Sequence, residues 1–326
     1  MNSSPFVRFT KALAIVLALG FSKHLFAFPG APLPLYELWK RSDGIVFADV
    51  ISTVSDGAQQ RASLSVVTVL KGDAAKVQPV VTVFTRLGGC PYPHTFKANE
   101  RILLFLEWDS QELMFTPVGA SEAVITTDAP GLKHYKSALD ELPTIYKLTE
   151  DQRIREALLR WSVRCSLDPV TRQEGLMSLA WAKPRDTPSN EWLLPEEAEL
   201  LIRAITNEST AKETLGIIEL MITHPSPRID NVLLDSLTKC NDDSWSPVAR
   251  ITLQHLPERL GISLPPDLRD RLEQYWERES DFYWGARKHS KREKKRIKSS
   301  LDTEFGWLCA NVWRECASCT EARTKR

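Results

Sequence analysis

The sequence predicts an α+β protein of two domains: a small, closed or nearly closed β-barrel, then a region of α-helical repeats. Three observations predict it. Between residues 35 and 127, short β-branched and aromatic segments alternate with turn-forming residues. After Pro130-Gly131 the apolar period changes from two to between three and four. Within that second region the chain aligns on itself three times.

The first 27 residues read as an export signal. Arg8 and Lys11 form a positive start, Ala12 to Phe21 is an apolar run, and no acidic residue precedes Glu37. The run is far shorter than the ~20 residues a bilayer span needs, and Lys23 interrupts it. Leu25-Phe26-Ala27 offers a cleavage site, Gly20 to Ser22 a weaker one, and retention as an anchor is the alternative. The predicted organisation is therefore a signal over 1–27, a barrel over 28–130, helical repeats over 131–272 and a basic, aromatic tail over 273–326.

Of 42 basic and 42 acidic residues, only Arg8, Lys11 and Lys23 lie in the signal. The mature chain is close to neutral, which argues against nucleic-acid binding driven by overall charge. Six cysteines spread over 326 residues are too sparse for a disulfide scaffold, although an exported chain can oxidise them.

In the barrel region, Ile45–Ile51, Leu64–Leu70, Val80–Thr85 and Ile102–Trp108 read as strands, with shorter candidates at Leu113–Phe115 and Ala123–Ile125. Ser55-Asp56-Gly57, Lys71-Gly72-Asp73, Gly88-Gly89 and Asp109-Ser110 supply turns between them. Closure of such short strands removes exposed edges. Three stretches carry a family resemblance: Ser42-Asp43-Gly44 leading into Ile45–Val50, Val66–Leu70 ending in Lys71-Gly72, and Asn99-Glu100-Arg101 leading into Ile102–Phe105. Together they resemble exported bacterial relatives of the netrin and tissue-inhibitor-of-metalloproteinases module. The resemblance implies an OB-type barrel over roughly ninety residues. Inhibitors of that family insert a mature N-terminal Cys into the zinc site of a protease. The expected mature N-terminus here, Phe28-Pro29-Gly30-Ala31, has none, so the fold carries over and inhibition does not.

Cys90 and His94, four residues apart in a Gly- and Pro-rich loop, are the one pairing with nucleophile–base or half-metal-site chemistry. No orienting carboxylate or oxyanion donor is supplied by the neighbouring sequence, and a rigid loop holding a buried or paired Cys explains the same residues.

The repeats read as αα-hairpins. Leucine pairs at 158, 200 and 233 begin the aligned motif in the first helix of each unit, and Pro184, Pro225 and Pro257 close the second. Each hairpin leaves an apolar face that a stacked neighbour would cover, as in HEAT-like arrays; a non-repetitive bundle is the alternative. Cys165 and Cys240 fall at equivalent positions two units apart, too distant to bond to each other.

In the tail, Arg287, Lys288, Lys291, Arg292, Lys294, Lys295, Arg296 and Lys298 face one acidic residue, Glu293, over twelve positions. Outside the cytoplasm such a run addresses anionic lipid headgroups, lipopolysaccharide or an acidic partner, or is simply a solvated helix face. The last helix is expected over Phe305–Cys319, docking back on the repeats. Cys309, Cys316 and Cys319 lack a second zinc half-site; a Cys316–Cys319 bridge, or Cys309 with Cys319 across a turn, is the expected oxidised form. No cofactor or metal is expected.

Taken together, the residues predict a periplasmic or secreted, non-enzymatic protein that contacts an envelope or extracellular protein. A metalloprotease inhibitor and an enzyme using Cys90 and His94 are the alternatives.

Overall fold

The computed structural model describes residues 33–56, 59–72, 80–86, 94–111, 113–119, 123–184, 187–207, 211–284 and 290–324. The expected export signal with its expected cleavage site at Ala27, Cys90, Arg287 and Lys288 lie outside the described residues. Two compact units divide the chain, 1–182 and 183–326.

The first unit is an α+β barrel. Strand β1 (Gly44–Asp56) pairs antiparallel with β2 (Gln59–Lys71) along one edge and with β4 (Arg101–Asp109) along the other. Strand β2 pairs antiparallel with β3 (Val80–Arg86), which runs parallel to β5 (Met114–Pro117). Strand β5 returns antiparallel to β4, so the circuit β1-β2-β3-β5-β4-β1 closes a five-stranded, OB-like barrel. A short sixth strand, β6 (Val124–Thr126), pairs with another part of β4.

Strand side chains alternate between faces. Val46, Ala48, Val50, Ile102, Leu104 and Leu106 fill the barrel with Ala62, Leu64 and Phe96. Their neighbours Ile45, Leu103 and Phe105 point outward, yet they are buried too. Four helices explain this: α1 (Leu35–Arg41), α2 (Ala129–Ile145), α3 (Asp151–Leu167) and α4 (Arg172–Ala182). Leu35, Tyr36 and Leu38 of α1, Leu139 and Leu142 of α2, and Leu158 and Trp161 of α3 form one core with that outer face, while α4 packs on α3. Strands covered on both faces read as unbroken apolar runs. The compact unit thus extends through the first helical hairpin, beyond the boundary suggested by the period change at Pro130-Gly131.

The three stretches that carry the family resemblance are joints of this unit. Lys71 Nζ donates to the Trp39 and Ser42 carbonyls at the end of α1, and sits 4.3 Å from the Trp39 ring centroid. Gly72 has φ +101°, and a Cβ there would lie 2.7 Å from the Asp43 carbonyl oxygen, so only glycine turns the chain at this point. Asp43 in turn accepts from the Trp108 amide at 2.9 Å. At the third joint, the Asn99 amide donates to the Val50 carbonyl and the Val50 amide to the Glu100 carbonyl, each at 2.8 Å.

The second unit is helical: α5 (Ser189–Trp192), α6 (Pro195–Asn207), α7 (Ala211–Met221), α8 (Pro227–Thr238), α9 (Ser246–Arg259), α10 (Pro266–Trp284) and α11 (Lys291–Thr324). Helices α6 and α7 form one hairpin, α8 and α9 the next, with α6 against α8 and α7 against α9. These are two of the sequence repeats, and the third is the α3–α4 hairpin of the first unit. Pro225 follows α7 as expected, but Pro257 lies inside α9, which runs on to Arg259. A proline in the last turn forfeits one backbone bond and need not end a helix.

Helix α11 joins the basic run and the expected terminal helix into one element of 34 residues. Leu301, Phe305, Leu308, Cys309, Val312 and Cys316 make its buried stripe. With that stripe it packs on α8, α9 and α10. The continuous helix separates Cys309 from Cys319 by about 15 Å of axis, which rules out the bridge between them across a turn. Cys165 and Cys240 belong to different units and are not bonded to each other.

One histidine of this unit contributes to its acid response. Burial, then the nearby Arg259 charge, pushes the His224 pKa below 6.5. As pH falls below about 6.5, the unfolded chain takes up a proton that the folded unit refuses, so stability present above that pH is lost. The expected result is a difference in slope. Between pH 7.5 and 5.5, the thermal midpoint of the wild type falls more steeply than that of a His224→Gln variant.

Candidate functional site

Helix α11 presents a second stripe, opposite in character to its buried one. Arg292, Lys295, Arg296, Ser299, Ser300 and Thr303 recur at three- and four-residue spacing and therefore share a face. They line a cleft of about 810 Å³ whose other wall is Arg271 of α10. Four cations and three hydroxyls thus converge on one open space. Hydroxyls and guanidinium groups are donors that suit phosphate or carboxylate oxygens.

The floor of the cleft explains why it stays cationic. Glu304 is its one acidic lining residue. That carboxylate is already engaged by Arg278 and by Arg271 Nε at 3.5 Å. The Arg271 guanidinium also lies 3.9 Å from the Trp307 ring centroid, which fixes it across the mouth. Arg292, Lys295 and Arg296 are consequently not neutralised by Glu304. On the far side of Arg271 the groove changes sign, with Asp267, Asp270 and Glu277 lining a neighbouring depression.

Beneath the cleft the two helices are locked by Tyr275. Its hydroxyl donates to Glu279 at 3.0 Å and accepts from Arg250 Nη1 at 2.9 Å. Its ring stacks on Phe305 of α11, with centroids 6.0 Å apart. Burial is the main reason that its pKa is pushed up to about 12.

Of the eight residues in the basic run, Arg292, Lys295 and Arg296 line the cleft, while Lys291, Lys294 and Lys298 are exposed on other faces of α11. Sequence reading missed Arg271 and the three hydroxyls. Arg271 belongs to an earlier helix of mixed charge, and only the fold brings it across from the run. A helical-wheel projection of 292–303 does gather the hydroxyls.

His94 lies elsewhere, on the barrel. Its Nε2 is 3.4 Å from Glu100 Oε2, and its ring meets Phe96 edge-on. Glu100, six residues on and across a turn, places a carboxylate beside this ring that the sequence did not reveal. Burial opposes its ionisation, but hydrogen bonds from Thr126 and Lys97, with His94 nearby, outweigh that and hold its pKa below the usual value. The same carboxylate ties β4 to β6 through the Thr126 hydroxyl at 2.8 Å, so the pair has a structural duty at the barrel rim.

Cys309 and Cys316 are buried core residues of α11, and for Cys319 only the helical backbone is described. Among the described residues, no group of three or more His, Cys, Asp or Glu could hold a metal ion. No described helix is long and apolar enough to cross a membrane. No family model matches the chain, and no curated protein is significantly similar to it.

Proposed function

We propose that this is an exported, non-enzymatic binding protein of the envelope or extracellular space, which holds an acidic partner in the cleft between α10 and α11. The observation that carries this is the convergence of Arg292, Lys295, Arg296 and Arg271 with three hydroxyls, above a glutamate already engaged by arginines. Three cations that Glu304 does not neutralise, with Arg271 across from them, attract anions from a distance and orient them on contact. The resemblance to netrin-like modules supports a binding role for the barrel unit. The inhibitor alternative rests on that resemblance alone. The thiol-enzyme alternative gains the His94–Glu100 pair, and Cys90→Ser would abolish any hydrolase or transferase activity it carries.

The test is titration of the mature chain with phosphatidylglycerol vesicles and, separately, with polyglutamate, each against a neutral control. At about 0.5 kcal/mol for each solvent-exposed charge contact, removing three cations weakens binding about tenfold. Arg292→Gln, Lys295→Gln, Arg296→Gln should show that loss, and added salt should reproduce it in the wild type. Equal affinity of variant and wild type, or no binding to either anionic probe, overturns the proposal.

A further inference from the structure

Two thiols far apart in sequence meet inside the second unit. Cys240 lies just past the end of α8, and Cys309 sits midway along α11. Both are buried, Cys309 completely. The loop after α8 lies against α11 there. Gly306, one turn before Cys309 on the same side of α11, leaves room for Asn241: a Cβ at 306 would lie 3.0 Å from Asn241 Oδ1. The next residue back along the loop is Cys240, and its thiol and that of Cys309 bear on each other's ionisation.

We propose that Cys240 and Cys309 form a disulfide that fastens α11 to the end of the α8–α9 hairpin. The pairing differs from both bridges that the cysteine spacing suggested, and it does not depend on what the cleft binds. The contact of the Asn241 side chain with Gly306 supports it by setting the loop that carries Cys240 against the turn of α11 that precedes Cys309; the bridge requires about 4.4–6.8 Å between the two Cα atoms.

The chemistry is thiol–disulfide exchange with a disulfide-bearing donor, either oxidised glutathione or a dithiol oxidase. Cys240, in the loop after α8, is less completely enclosed than Cys309 and is the attacking thiol. Its thiolate bonds to one donor sulfur and expels the other as a thiolate. Once Cys240 is held in the mixed disulfide, its negative charge no longer opposes Cys309, and the Arg250 charge favours the second thiolate. Cys309 then displaces the remaining donor sulfur. Two protons and two electrons leave the cysteines, and the donor ends as two thiols. Because Cys309 is fully enclosed in the folded unit, exchange takes place while α11 is undocked, during folding.

The test uses the full mature chain refolded in a glutathione redox buffer, then alkylated and digested with trypsin without reduction. The expected product is a cross-linked pair of peptides spanning residues 240–250 and 299–314, each of which contains a single cysteine. Cys240→Ser, Cys309→Ser and the double variant should each lower the thermal midpoint by about 10 °C, the double by no more than either single. Reductant should bring the wild type to the same value. Recovery of both peptides alkylated, or cross-linked to other cysteines, overturns the proposal. The peptide map decides on the wild type alone if the serine variants do not fold.

Discussion

Trp161→Ala should unfold the barrel unit more readily than any other single truncation in it, at a cost of about 3–5 kcal/mol. Trp161 is fully buried and is the largest of the enclosed side chains. Its indole donates to the Ala138 carbonyl on α2 at 2.8 Å, and its ring meets Tyr36 of α1 edge-on, with centroids 6.4 Å apart. One side chain therefore joins α3 to α2 and α1, in the core that covers the outer faces of β1 and β4. Removing it leaves a cavity that three helices would have to collapse together to fill, and it removes a hydrogen bond to a buried carbonyl. Trp161→Phe keeps most of the volume and loses only the donor, so it should cost about 1–3 kcal/mol. Trp313→Ala, at a position 40% exposed, should change little. Hydrogen exchange by mass spectrometry separates the units: barrel-strand peptides lose protection in Trp161→Ala while α8–α9 peptides keep theirs. Equal protection of the strands in Trp161→Ala and Trp313→Ala would show that the outer helices do not stabilise the barrel.

The strands were legible because their buried halves are apolar, and their lengths were not because the rest is polar. Ile45–Ile51 reads as a strand, yet β1 runs to Asp56, since Ser52 to Asp56 pair with β2 outside the core. Backbone pairing in a hairpin needs no apolar side chain, so sequence pattern is silent there. The repeats were legible as leucine pairs at fixed spacing. Which hairpin belongs to which unit was not, because the apolar face of α3 reads alike whether its partner is a helix or a sheet. The cleft was half legible. Charge segregation marks 287–298 in any projection, but Arg271 is recruited by packing. Glu100 was missed for a related reason: its distance from His94 reflects a turn between β3 and β4, and spacing rules describe helices and strands better than turns. The meeting of Cys240 with Cys309 depends on how α11 docks, which no local pattern encodes.

Arg259→Ala should cost the helical unit about 3–5 kcal/mol, the range for breaking a buried charge pair by removing one partner. Arg259 is the last residue of α9, and its side chain is only 10% exposed. Its Nε pairs with Asp230 in the first turn of α8, Nη1 donates to the Ile222 carbonyl at 2.8 Å, and Nη2 donates to the Ser226 carbonyl at 3.2 Å. A planar guanidinium thus closes the turn between α7 and α8 onto the end of α9. Lysine offers a point charge in place of the fork, so Arg259→Lys should recover the pair with Asp230 and lose at least one carbonyl contact. The exposed pair Arg228–Glu199 is the internal comparison: both partners are well solvated, and Arg228→Ala should cost under about 1 kcal/mol. Salt should weaken the exposed pair and leave the buried one nearly unchanged. A double-mutant cycle of Arg259→Ala with Asp230→Ala isolates the pair from the two carbonyl bonds. If Arg259→Ala costs no more than Arg228→Ala, the hairpins hold together by apolar stacking alone, and the clamp contributes geometry without stability.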